Sequence, residues 1–417
     1  MSEAYTFYAG AGKAQIRFTE EMFPTFGENY TGVHDPLTVQ VLVLQDVESY
    51  VLAACDVVIL QERQEVVTFI SVHTGIPADH VILHTSHVLA APHFQKRVST
   101  AGMRERGGAG LSEEELEAYA ARDNLMYAAF TDALAAACDE ALSSLQAARY
   151  GCGTCEAAVN INRVLERGGE WIQGTNQDGE SDHTVTVLRF ESLSGDPIAV
   201  LFHCNMAPGA LEGSVCGEER LVSADVAGAA ERYVERFIGQ GVKAFYLTGT
   251  TGDQWQALRA RIDYMDESGE QVIRDLGEAG FVMPRILGLR LAQQVVKTAQ
   301  SIVCSVPQAS MRLVRRDFSY PGKEDAASEC PAAVLSIGDD AWTAIGAEVT
   351  VAFGRKVKER SPFAHTLLIE FAADGGGYMA EREYYAHHSY QAGKSRFSAG
   401  GAESFCEDLC GFLEELG

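Results

Sequence analysis

Pro197-Ile198-Ala199-Val200-Leu201-Phe202 runs straight into His203. An apolar run of this length reads as a buried strand, and it delivers an imidazole to its C-terminal end. Val81-Ile82-Leu83 reads the same way, and Thr85-Ser86-His87 leaves it toward a loop at Ala90-Ala91-Pro92. In open α/β sheets the carboxyl edge of the strands is where ligands bind.

Working outward, strands are expected near 13–18, 37–46, 49–55, 80–84, 183–191, 197–203, 242–248, 310–317, 332–337, 342–346 and 364–371. The clearest hairpin joins Leu37–Asp46 to Ser49–Asp56. Ser112 and Glu115 form a capping box that opens the longest helix, with Met126, Phe130, Leu134, Ala141 and Leu145 on its buried face. Further helices are expected at Ala224–Ile238, Leu276–Val303, Val349–Lys358 and Glu403–Leu416. Strands interleaved with helices, some joined by turns too short for a crossover, predict an α/β architecture with mixed sheets. No linker or fixed-period repeat divides residues 1–417, which are therefore read as one domain.

Composition narrows the function classes. With 58 acidic against 33 basic residues the formal charge is −25, which opposes association with nucleic acid or anionic lipid. No apolar run approaches the roughly 18 residues that span a bilayer, so no membrane partner is expected. Met1-Ser2-Glu3-Ala4 leads directly into the first strand without a secretory leader, and a cytoplasmic location is expected. Ten Cys in such a chain read as reduced thiols. Cys152-Gly153-Thr154-Cys155 has metal or redox spacing, but without a second pair a structural role is favoured. Asp263–Glu270 is rich in carboxylates, lacks calcium-loop spacing and reads as a solvated loop.

Near the C-terminus, Gly377-Tyr378-Met379-Ala380-Glu381-Arg382-Glu383-Tyr384-Tyr385 is followed by His387, His388 and Tyr390. Set beside His87, His203 and Glu348, this gives two imidazoles, a carboxylate and a phenol, a donor set that suits zinc.

Motifs in order along nearly the whole chain resemble the catalytic domain of the neutral/alkaline non-lysosomal ceramidases, metal-dependent amidases that cut the N-acyl bond of ceramide. Gly10–Ile16 resembles the family's opening strand, Gly32–Leu37 its Gly-aliphatic-His turn, and Thr85–Pro92 its Thr-His-Thr-His-Ser-Gly-Pro segment. Asn160-Ile161-Asn162-Arg163 matches the Asn-Ile-Asn-Arg motif, Gly249–Asp253 the Gly-Asp loop, and Ala344–Glu348 the Pro-Gly-Glu turn. Tyr378 and Tyr390 fall on tyrosines of Tyr-Ile-Thr-Thr-x-Glu-Glu-Tyr-x-x-x-x-Tyr. The resemblance implies Zn²⁺ held by His87, His203, Glu348 and Tyr378, with Arg163 and Tyr390 bonding a developing oxyanion. Full-length members of that family carry an immunoglobulin-like domain after the catalytic one, and residues 1–417 are expected to be the catalytic domain alone.

The departures point to a changed substrate. Leu89 replaces a substrate-holding His, Gln254-Trp255-Gln256 replaces a Val-Ser-Pro-like run, and Ala380-Glu381 replaces Thr-Thr. The expected activity is therefore zinc-dependent hydrolysis of an amide or related bond in a small polar molecule. A lyase or isomerase on the same metal is the alternative, and a non-catalytic metal-dependent binding protein ranks third.

Overall fold

In a computed structural model, residues 7–266, 268–324 and 326–417 are described; Met1–Ala4 and Glu267 lie outside them. Among these residues three βαβ units organise the chain. Ser49–Cys55 crosses through helix Arg63–Thr74 to Val81–Thr85, and Pro197–Cys204 crosses through Asp225–Ile238 to Lys243–Thr248. The third runs from Asp340–Ile345 through Val351–Arg360 to His365–Ile369. Parallel pairing cannot be closed by a tight turn, so each unit needs its helix.

The first two units form opposite edges of an eight-stranded sheet. Its order is Lys243–Thr248, Pro197–Cys204, Thr184–Ser192, Gln146–Glu156, Tyr8–Gln15, Thr38–Gln45, Ser49–Cys55, Val81–Thr85. The third unit belongs to a four-stranded sheet with Arg312–Arg316 and Ala332–Ile337. The two sheets meet through an apolar layer in which Phe190, Leu201, Phe245 and Leu247 oppose Leu335, Trp342, Leu367 and Ile369. Helices cover the outer faces: Glu113–Ser143, Asp225–Ile238 and Met283–Ser301 on the larger sheet, Val351–Arg360 and Gly401–Leu416 on the smaller. Central strands buried on both faces explain the unbroken apolar runs.

Main-chain bonds also cross between the sheets. Thr85 N–H donates to the Phe371 carbonyl at 3.2 Å and Glu370 N–H to the Thr248 carbonyl at 3.0 Å. His84 Nδ1 donates to the Glu370 carbonyl at 3.1 Å and its Nε2 accepts from Thr248 N–H at 3.3 Å. Burial lowers the His84 pKa to about 3, so it is a neutral core residue.

The α/β class with mixed sheets agrees with the sequence reading, as do the hairpin and the Ser112–Glu115 capping box. Several details differ. The first strand is Tyr8–Gln15, not 13–18, and the long helix stops at Ser143, leaving Leu145 in the turn. Gln146–Glu156, Asn160–Arg167 and Glu170–Asn176 are strands that the reading omitted. The acidic segment is no simple loop: Arg261–Met265 and Gln271–Asp275 pair as an antiparallel ribbon.

Gly10 and Gly12 show why the first strand begins early. A Cβ on Gly12 would lie 2.0 Å from the Ala137 carbonyl oxygen, and one on Gly10 2.2 Å from that of Ala141, so glycine lets the long helix rest on the strand backbone. Gly12→Ala should destabilise the protein by about 1–3 kcal/mol. Urea unfolding checks this, and an unchanged midpoint would show that the helix does not lie so close.

Candidate active site

The carboxyl ends of the three βαβ units carry the polar residues of the site. His87 follows Val81–Thr85, the Gly249–Asp253 loop follows Lys243–Thr248, Glu348 follows Asp340–Ile345, and Tyr378 follows His365–Ile369. Arg163 comes from the strand Asn160–Arg167, which pairs with Gln254–Gln256. A pocket of about 130 Å³ gathers His87, Arg163, Glu348, Tyr378 and Tyr390. Leu89, Trp255, the Glu212 carboxylate and the amides of Gln173, Gln254 and Gln256 also line it.

Glu348 and Tyr378 are held side by side by a parallel bridge, with Glu348 N–H donating to Gly377 O at 3.0 Å and Met379 N–H to Glu348 O at 2.9 Å. Their side chains share one partner. Arg163 Nη2 donates to Glu348 Oε1 at 3.1 Å, to Tyr378 Oη at 2.8 Å and to the Gly252 carbonyl at 2.9 Å. Burial and the Glu348 carboxylate raise the Tyr378 pKa well above that of a free phenol, and Arg163 opposes them.

His87 has φ 57°, a left-handed conformation uncommon for a side chain of this size, and so does Phe371 at 54°. Their rings stack with centroids 4.1 Å apart. Two such residues at strand ends cost on the order of 1–3 kcal/mol each, which the surrounding packing must offset. His87 Nδ1 donates to the Val58 carbonyl at 2.8 Å, which fixes the tautomer and leaves the Nε2 lone pair for a ligand. Burial lowers its pKa, with Glu348 opposing, and keeps the ring neutral.

His203 stands apart from the pocket. Its Nε2 donates to the Leu368 carbonyl at 2.7 Å, leaving Nδ1 as the lone pair, and burial lowers its pKa to about 4. The donor chemistry therefore suits zinc: two neutral imidazoles, each oriented by a main-chain carbonyl, with a carboxylate and a phenol. The pocket gathers His87, Glu348 and Tyr378 with Arg163, and His203 is not among the residues that line it. Among the described residues, the trio of imidazole, thiol or carboxylate donors within 4.8 Å of one another lies elsewhere, at Cys152, Asp340 and His365.

Sequence reasoning passed over Glu370, which lies fully buried beneath Glu348. It accepts from Val349 N–H at 2.6 Å and from Thr251 Oγ1 at 2.6 Å, tying two loops of the site together. Burial and the nearby Glu348 charge push its pKa well up. Asp253 acts similarly, accepting from Val351 N–H at 3.0 Å, with burial raising its pKa to about 6. Of the residues without an assigned role, His387 stacks on Trp171 at 4.6 Å and His34 pairs with Asp35 at 2.9 Å, both outside the pocket. Tyr385 Oη donates to the Phe397 carbonyl at 2.6 Å and is structural.

Arg163 and Glu348 are almost wholly withdrawn from solvent, with side-chain exposures of 9% and 8%. Removing the cation leaves a buried carboxylate unpaired, so Arg163→Met should lower the stability of the metal-free protein by about 3–5 kcal/mol. Adding Glu348→Gln should recover part of the loss. A double-mutant cycle by urea unfolding checks this, and additive losses would mean that the two side chains do not interact.

No known family profile matches the sequence, and no curated protein matches it. The fold does have solved counterparts. A crystal structure of neutral ceramidase from Pseudomonas aeruginosa superposes with a TM-score of 0.72 at 14% identity, over 99% of this chain and 75% of that one. A structure described as ceramidase complexed with C2 gives 0.72 and 14%, over 99% and 76%. The chain therefore has a ceramidase-like fold along its length.

Proposed function

We propose that residues 1–417 form one catalytic unit, a zinc-dependent hydrolase of an amide or related bond in a small polar substrate. One observation carries the reading: within a ceramidase-like fold, His87, Arg163, Glu348, Tyr378 and Tyr390 line a single pocket. His87, His203, Glu348 and Tyr378 are the residues that would hold the metal, which when bound supplies a water of pKa near 7 and polarises a carbonyl. Glu348 and Tyr378 would turn from Arg163 to do so.

That exchange frees guanidinium N–H groups inside a buried, low-dielectric wall, where they can bond the oxygen that gains charge. Tyr390, partly exposed, has its ring 5.7 Å from that of Tyr378 and offers a second donor at the mouth. Leu89 and Trp255 exclude water, and Arg259 lies 3.8 Å over the Trp255 ring and fixes it. A 130 Å³ pocket is small beside the ~300–1,000 Å³ of drug-sized sites, and its glutamine amides favour polar groups over a long acyl chain.

Tyr378→Phe keeps the ring and removes one oxygen. It should fold normally and lose about 10²–10³-fold in kcat, the scale of one lost electrostatic contact in a transition state. Full turnover by this variant would contradict the assignment. Hydrolysis also requires solvent oxygen in the product, so turnover in ¹⁸O-water should label it; an unlabelled product would select the lyase or isomerase reading. Long-chain ceramide should be turned over poorly, and rapid cleavage in a direct assay would refute the small polar substrate.

A further inference from the structure

At the other end of the small sheet, Asp340 and His365 face each other at the first residues of its parallel pair. His365 and Glu370 are five residues apart along the strand, roughly 16 Å at 3.3 Å per residue. Cys152 reaches them from the middle of Gln146–Glu156 in the large sheet, so thiol, carboxylate and imidazole lie within 4.8 Å of one another across the boundary between sheets. His365 Nδ1 bonds Asp340 Oδ1 at 2.7 Å, and Tyr150, two residues before Cys152 and on the same face, donates its hydroxyl to Asp340 Oδ2 at 2.7 Å. The three side chains line a cavity of about 280 Å³ whose wall also includes Ser305, Gln308 and Gly338.

We propose that Cys152, Asp340 and His365 form a separate site for a zinc-class divalent metal, open to that cavity, which clamps the large sheet to the small one. A thiolate, an imidazole and a carboxylate are the mixture that zinc and cobalt accept, whereas calcium and magnesium need several oxygens. Tyr150 holds the second carboxylate oxygen, the kind of outer bond that orients a metal ligand. Burial and the Asp340 carboxylate hold the Cys152 thiol protonated without a metal, which makes it a poor nucleophile. A dication inverts this: the thiol proton leaves to solvent, the imidazole binds neutral, and the two anionic ligands balance the metal charge. Cys155 takes no part, because it packs with the core on the opposite face of the same strand.

The candidate active site has no sulfur ligand, so cobalt separates the two. The metal-stripped full chain titrated with Co²⁺ should develop a thiolate-to-cobalt charge-transfer band in the near ultraviolet, with the amplitude of one thiolate-bound cobalt per chain. Cys152→Ser should abolish the band and reduce the rise in Tm that zinc gives the wild type. His365→Ala should weaken cobalt binding at this band by at least about tenfold. A His87→Ala, His203→Ala variant should keep the band, so failure of the hydrolase reading would leave this result untouched. Cobalt binding without the band in the wild type, or its persistence in Cys152→Ser, would overturn the proposal.

Discussion

The contact between the two sheets is the constraint on which the rest of the molecule depends. Each βαβ unit on its own would carry its strand ends to separate places. The apolar layer from Phe190 and Leu247 to Trp342 and Ile369, together with the bonds from Thr85 to Phe371 and from Glu370 to Thr248, brings the carboxyl ends to one spot. His87, Glu348 and Tyr378 meet there, on the segments that follow those strands. The left-handed conformations of His87 and Phe371, stacked on each other, show where the chain accommodates that convergence.

Electrostatics at the convergence are unusually concentrated for a buried region. Glu348, Glu370 and Asp253 approach from different loops, with Arg163 as the cation that reaches Glu348. Burial above all pushes the pKa values of Glu370 and Asp253 upward, with the Glu348 charge adding to it for Glu370 and the Glu381 charge for Asp253. A divalent ion held at Glu348 would offset its repulsion of Glu370.

Much of this was legible in the sequence where the signal is local. Apolar runs ending in His87 and His203 announce strand ends, and Ser112 with Glu115 announces a helix start. Other features had no local signal. Gln146–Glu156 contains Gly151-Cys152-Gly153, which masks a strand pattern, and the glycines are required because Ile302 and the following chain press on them. Glu370 is a carboxylate after an apolar strand, a position no motif marks. The Arg163–Glu348 pair joins residues 185 apart, and the Cys152 trio joins two sheets. The direction of the His203 ring is likewise set by Leu368, a residue of the other sheet.

Zinc at the convergence of the three βαβ units is the central claim, and crystals of the zinc-loaded protein measured at the zinc absorption edge test it most directly. The proposed site predicts an anomalous peak bonded to His87, His203, Glu348 and Tyr378, with Arg163 released from the Glu348 carboxylate. An intact Arg163–Glu348–Tyr378 contact with no anomalous peak in that pocket would contradict it.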